Sequence, residues 1–68
     1  NWRFEMMKRE KQLERDIKGL ILILKDNIEE GVIHREYVLE KLNRILAGTM
    51  NFHPSIKETL EHDGYDFD

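Results

Sequence analysis

The side chains that could bind a metal ion are three histidines along the chain and several carboxylates near the C-terminus. His62 and Asp63, with Glu58 or Glu61 close by, could supply a partial oxygen–nitrogen site. His34 and His53 are far from this cluster in sequence, and the spacing matches neither a two-histidine helical zinc motif nor a complete calcium loop. We therefore expect structural or surface roles for the histidines, with no metal site and no cofactor.

Nothing in the chain indicates a catalytic nucleophile paired with a base. There is no cysteine, and the single serine, Ser55, is explained as a residue at a helix start. The glycines are isolated and form no phosphate-binding loop, and a chain of 68 residues makes a poor enclosed pocket. The sequence therefore predicts a protein that is not an enzyme.

Four basic residues form the clearest electrostatic pattern. Helical spacing places them within about 80° of one another on the first predicted helix. Such a row is either an ordinary solvated face or an electrostatic docking surface. Its possible ligands are the phosphates of a nucleic acid, an anionic membrane surface, which fits less well, and the acidic C-terminal segment of the chain. This basic row comprises Lys8, Lys11, Arg15 and Lys18.

The last four residues alternate aromatic and acidic side chains: Tyr65, Asp66, Phe67 and Asp68. In an extended segment both rings point one way and both carboxylates the other. One interpretation is a disordered end, or aromatic side chains that fold back onto the protein. The other is an acidic–aromatic docking peptide that binds a groove with basic edges.

Three helices are predicted to position these groups. Apolar periodicity and the placement of Gly and Pro put them at about residues 2–30, 34–47 and 54–61. A short link makes the first two an antiparallel hairpin, and Gly48 is the predicted stop of the second. The third begins near Pro54 or, as a capping box, at Ser55. The fold class is all-α, a small helical bundle in one domain, 1–64, followed by the tail, 65–68.

The first helix has an apolar stripe that the second helix is too short to cover. Eleven-residue spacing keeps this stripe nearly straight. A helix of about 29 residues is about 43 Å long and one of about 14 residues is about 21 Å long, so the first half of the stripe is left without a partner. The stripe comprises Trp2, Met6, Leu13, Ile17, Leu20, Leu24 and Ile28.

The remaining apolar residues should complete the bundle. The segment 20–24 is apolar almost all round, which is typical of a helix covered on more than one side. Gly19 is suited to a close helix contact. The predicted core-facing residues are Val38, Leu39, Leu42, Ile45 and Leu46 on the second helix, with Phe52, Ile56 and Leu60 around the third.

The uncovered stripe predicts an association partner. Two copies could pair antiparallel about Leu13, giving a bundle of four or six helices with two-fold symmetry. This register places Lys8 beside the partner's Lys18, which weakens it slightly. A helix from a different protein is the alternative. The predicted contact residues are Trp2, Met6, Leu13, Ile17, Leu20 and Leu24.

These patterns favour a non-catalytic protein-interaction or oligomerisation module that acts through an amphipathic helix. Charged residues make up 37% of the chain and apolar residues 40%, which is typical of a folded amphipathic protein. A small nucleic-acid-associated regulator and an inhibitory subunit that docks by its acidic tail are the alternatives. We expect no membrane span and an intracellular location, cytoplasmic or nuclear. The first residue, Asn1, suggests a processed form or a fragment.

Overall fold

The computed structural model describes residues 2–31 and 33–67, leaving the side chain of Trp2 undescribed. Over these residues the chain forms three helices and no strand, which confirms the predicted all-α bundle, with limits within one residue of those expected. The longest extent of the molecule, 45 Å, is close to the length of the first helix, which therefore forms its axis. The helices are α1 (Trp2–Glu30), α2 (Arg35–Ala47) and α3 (Pro54–His62).

Local signals set the helix ends that border the α2–α3 loop. Gly48 ends α2 with a φ of 72°, a left-handed conformation that suits glycine, and its N–H donates to the carbonyl of Ile45. Helix α3 begins at Pro54, the favoured of the two predicted starts. His53 is its N-cap residue, because Nδ1 of this ring accepts a hydrogen bond of 3.2 Å from the N–H of Ser55.

Helices α1 and α2 run antiparallel, as the short link requires. Nη2 of Arg9, near the start of α1, donates to the carbonyl oxygen of Leu46, near the end of α2, at 2.9 Å. Helix α2 therefore ends level with Arg9, and the first turns of α1 project beyond it. Phe4, Met6 and Met7 on this projection are each at least 50% exposed.

One apolar core joins the three helices and the α2–α3 loop. Four of the five residues in the segment 20–24 belong to this core or pack against it, and only Ile21 does not. Ile56 of α3 also packs against it, so the third helix closes over the hairpin as expected. The buried apolar residues of this core are Leu20, Ile45, Met50, Phe52 and Leu60, of which Leu60 is fully enclosed.

The buried side of α1 differs from the predicted stripe. Ile17 and Ile28 were expected on the covered side, but they are 49% and 64% exposed. Met6, in the half of the stripe that was expected to lack a partner, is 50% exposed. The core lies instead toward Gly19, because the ring of Phe52 packs directly on the backbone of this residue. This contact is possible because Gly19 has no side chain. The side of α1 that contains Gly19 therefore faces the core, and the most regular apolar stripe of the helix does not.

The prediction for α2 was also partly wrong. Ile45 is buried and Val38 is half-buried, but Leu39, Leu42 and Leu46 are 52%, 42% and 73% exposed. Among the described residues, α2 and α3 each pack against α1, and their backbones do not pack against each other. Helix α2 therefore needs only one narrow apolar edge for the core, and its other leucines remain on the surface.

Candidate protein-interaction surface

The C-terminal segment lies along the basic row of α1. The hydroxyl of Tyr65 donates to Oε1 of Glu14 at 2.6 Å, and the Lys18 ammonium lies 5.0 Å from the centre of the Tyr65 ring. The Arg15 guanidinium lies 4.4 Å from the centre of the Phe67 ring. Cation–π attraction and hydrogen bonding therefore hold both aromatic side chains against the chain itself.

The backbone of the segment is anchored at the same place. Nη1 of Arg15 donates to the carbonyl oxygen of Asp66 at 2.6 Å. The Phe67 ring meets the buried Phe52 ring edge to face, with 6.0 Å between centroids, so the segment extends the core. The predicted docking residue Asp68 lies outside the described residues.

Tyr65 shifts the protonation equilibria of its two neighbours on α1. Its hydrogen bond is the main reason that the pKa of Glu14 lies below the ordinary 4.5, with Lys11 and Lys18 adding to the effect. The pKa of Lys18 is raised, first by its hydrogen bond to Tyr65 and also by the carboxylates of Glu14 and Asp63. Both shifts favour the charged forms that hold the aromatic ring.

Asp16 is an unexpected buried acid in the middle of α1. Its side chain is 0% exposed, and Oδ1 accepts a hydrogen bond from Nε of Arg15 at 3.0 Å. Its Oδ2 has no hydrogen-bond partner among the described residues. Sequence reasoning missed this residue, although its spacing from Leu13 and Leu20 places it on the covered side of the helix. Arg15 therefore neutralises a buried charge as well as binding the tail.

The other half of the basic row borders an open groove. This groove lies between the first turns of α1 and the C-terminal segment, with Phe4, Met7 and Tyr65 in its wall beside Lys8 and Lys11. The ammonium of Lys8 lies 4.7 Å from the centre of the Phe4 ring. Within the basic row, Arg15 and Lys18 thus bind the C-terminal segment, whereas Lys8 and Lys11 border the open groove.

An exposed apolar line runs along the opposite edge of α1. Ile17, Ile21 and Ile28 lie within about 40° of one another around the helix. They are 49%, 57% and 64% exposed. Leu24, which lies between this line and the core, is half-buried. The line is therefore continuous with the edge of the core and remains open to solvent.

A matching line lies on α2. Leu39, Leu42 and Leu46 lie within about 60° of one another around this helix. Viewed from its own N-terminus, each helix has its apolar line on the clockwise side of its core-facing residues. Because α1 and α2 are antiparallel, the clockwise side of one helix and the clockwise side of the other face the same side of the hairpin. Both apolar lines consequently lie on the side of the hairpin away from α3. We call this surface the hairpin face: Ile17, Ile21, Ile28, Leu39, Leu42 and Leu46.

The hairpin face includes only one described residue of the predicted association set. Ile17 belongs to it, and Met6 is exposed on the projecting turns. Leu20 is buried, and Leu13 and Leu24 pack against the core, while the Trp2 side chain lies outside the described residues. Pairing two copies about Leu13 would require Leu20 to leave this core.

Ile21 and the α2 leucines were not expected to be exposed. The signal for Ile21 is present in the sequence, because it follows Ile17 by four residues and precedes Ile28 by seven, which is one helical line. For α2 the same spacing exists, but the sequence does not show which edge faces the core.

Two further properties of the described residues bear on function. No three His, Asp or Glu side chains are grouped there in a way that could hold a metal ion. Every helix in that part of the chain falls short of the length and apolar character that crossing a bilayer demands.

Comparison with protein-family models, with curated proteins and with solved structures gives no match to this chain.

Proposed function

We propose that this chain is a non-catalytic interaction module that binds a protein partner through the hairpin face. The observation that supports this most directly is the exposure of its six side chains, which ranges from 42% to 73%. Single exposed leucines are common on protein surfaces, but contiguous apolar patches typically mark interaction sites. None of its six side chains belongs to the core cluster, to which Ile45 and Leu20 contribute.

Two adjacent helices provide a suitable shape for a helical ligand. The apolar lines of α1 and α2 are ridges on neighbouring helices, and amphipathic helices commonly pack between two such ridges through residues spaced three and four apart. Complete burial of one large apolar side chain contributes about 1.5–3 kcal/mol. Six half-exposed side chains can therefore offset much of the entropy lost on association.

The two alternative functions have less support. A nucleic-acid-binding row would use Arg15 and Lys18, but both bind the C-terminal segment of the same chain. An inhibitory tail would use Tyr65 and Phe67, but both rings pack on α1. Either function would require these contacts to open first.

Site-specific photo-crosslinking in cells tests the proposal. A benzophenone amino acid replaces Ile21 or Leu42 on the hairpin face, or Glu58 on the exposed side of α3 as a control. We expect discrete protein adducts from positions 21 and 42 and none above background from position 58. Equal labelling at all three positions, or none at 21 and 42, would contradict the proposal.

Purified components then test the same face quantitatively. With the crosslinked protein in hand, Leu42→Lys should weaken its binding strongly, because a charge would be buried in an apolar contact. Asn43→Lys is the matched control, since it adds the same charge on the same helix at an exposed position about 100° away. Equal losses in the two variants would indicate a charge effect rather than the hairpin face.

A further inference from the structure

We infer that the partner of the hairpin face is a second copy of this chain, an inference that rests on the proposed function. In this homodimer a two-fold axis crosses the helices, so that α1 packs antiparallel on the partner's α1, and α2 on the partner's α2. The result is a bundle in which the four long helices bury both hairpin faces.

The charge order along α1 supports self-association. The apolar line of this helix continues toward the N-terminus into two acidic residues with the same spacing of three and four, and one basic residue lies within it. The acidic residues precede the first isoleucine, and the basic residue lies between the second and the third. Antiparallel stacking therefore brings the second acidic residue, Glu14, near the partner's Lys25. A different partner would not require this internal complementarity. In chain order the line comprises Glu10, Glu14, Ile17, Ile21, Lys25 and Ile28.

One register pairs the two central isoleucines and brings unlike charges together, while Glu10 falls level with the partner's Ile28. When Ile17 lies over the partner's Ile21, Glu14 falls within one residue of the partner's Lys25. Two-fold symmetry forms this ion pair twice. Arg35, which begins α2 and shares the line of Leu39, adds to the basic end. The like-charge contact between Lys8 and the partner's Lys18, a weakness of pairing about Leu13, is absent here.

The exposed area of the chain fits an interface of this size. The accessible surface is 5553 Å², whereas a compact monomer of 8.2 kDa exposes about 4,500 Å². The surplus of about 1,000 Å² is close to the roughly 800 Å² that each partner buries in a standard stable interface. The dimer would therefore bring the exposed surface of each chain to an ordinary value.

Sedimentation equilibrium from micromolar to millimolar concentration tests the inference. We expect the wild type to dimerise and Ile21→Glu to remain monomeric, because a carboxylate would be buried beside the partner's Ile17. Phe4→Glu is the matched control: it also replaces an exposed apolar residue of α1, 58% exposed, with glutamate, but on another side of the helix. It should dimerise like the wild type.

A charge exchange tests the register. Glu14→Lys and Lys25→Glu should each raise the dissociation constant roughly tenfold, since each turns two attractive pairs into repulsive ones. The double variant should return to within about threefold of the wild type. Circular dichroism must show native helix content in each variant, because Glu14 also accepts the hydrogen bond from Tyr65.

The outcomes separate this inference from the proposed function. A wild type that stays monomeric while positions 21 and 42 crosslink to a different protein would overturn the homodimer and leave the hairpin face as an interaction site. A monomer without crosslinks at those positions would overturn both. A dimer that tolerates Ile21→Glu, or that the charge exchange fails to restore, would also overturn this inference.

Discussion

The ring of Phe52 lies directly on the backbone of Gly19, so that a Cβ atom at this position would overlap Cε1 and Cζ of the ring. Gly19→Ala should therefore destabilise the protein. Alanine improves helix propensity by up to about 1 kcal/mol, but overpacking costs about 1–3 kcal/mol. We expect a net loss of about 1–2 kcal/mol in the free energy of unfolding, measured by urea denaturation followed by circular dichroism.

A second substitution isolates the cause of this loss. Phe52→Leu removes the ring atoms that a Cβ at Gly19 would meet, so Gly19→Ala should cost less in that background than in the wild type. Non-additivity of about 1 kcal/mol is expected for two residues in contact. If Gly19→Ala stabilised the protein, the close packing of ring and helix would be refuted.

This contact also shows why part of the fold was predictable and part was not. The helix ends depend on neighbours in sequence, such as Pro54 for α3 and Gly48 for α2, and local patterns predicted them. The direction in which α1 faces the core depends on a pairing between Gly19 and Phe52, which are 33 residues apart. A single-sequence pattern does not contain that pairing, so it did not predict the exposure of Ile28.

The candidate site was predictable to a similar degree. The sequence indicated unpartnered apolar surface on the first half of the first helix, where Met6 is exposed. The structure also has such surface at Ile17 and Ile28, where cover by α2 was expected. It did not indicate that α2 contributes Leu42, because an amphipathic helix with one neighbour can turn either edge of its apolar side inward. The buried Asp16 was missed for a different reason: its spacing from Leu13 and Leu20 indicates the covered side, but a fully buried acidic residue is rare.

The ion pair of Arg15 with Asp16 yields the second prediction. Arg15→Ala should cost about 3 kcal/mol in the free energy of unfolding, because it leaves the buried Asp16 carboxylate uncompensated and releases Phe67. Lys18→Ala removes an exposed pair with Glu14, at 3.9 Å, and should cost clearly less stability than Arg15→Ala, because solvent screens an exposed ion pair.

The role of the buried charge can be separated from the tail contact. In an Asp16→Asn background the charge is absent, so Arg15→Ala should lose clearly less stability than in the wild type. Urea denaturation of the four proteins of this cycle gives the coupling energy. A coupling near zero would assign the whole effect of Arg15 to the tail.

The third prediction concerns pH and the C-terminal segment. The hydrogen bond from Tyr65 holds the pKa of Glu14 below its ordinary value of 4.5, so its stabilising effect is present above that pH and is lost as pH falls through the lowered pKa. Tyr65→Phe removes the hydrogen bond. The stability difference between wild type and variant should therefore shrink between about pH 7 and about pH 3.

Titration by nuclear magnetic resonance gives a direct check on this mechanism. In Tyr65→Phe the pKa of the Glu14 carboxyl should rise toward its ordinary value, while Lys11 and Lys18 still lower it somewhat. The wild type, titrated under the same conditions, is the reference. An unchanged Glu14 titration would exclude the Tyr65 hydroxyl as the cause.

The last prediction compares two neighbouring residues of α2 that have opposite surroundings. Ile45 is 4% exposed and Leu46 is 73% exposed. Ile45→Ala should lower the free energy of unfolding by about 2–5 kcal/mol at any protein concentration, since it leaves a cavity in the core. Leu46→Lys should change the stability of the monomer by no more than about 0.5 kcal/mol.

A partner on the hairpin face adds a concentration-dependent term to stability, because it binds the folded state only. The melting temperature of the wild type and of Ile45→Ala should therefore rise with protein concentration, whereas that of Leu46→Lys should rise less. Melting temperatures that are independent of protein concentration in all three proteins would show that Leu46 does not contact a second copy of the chain.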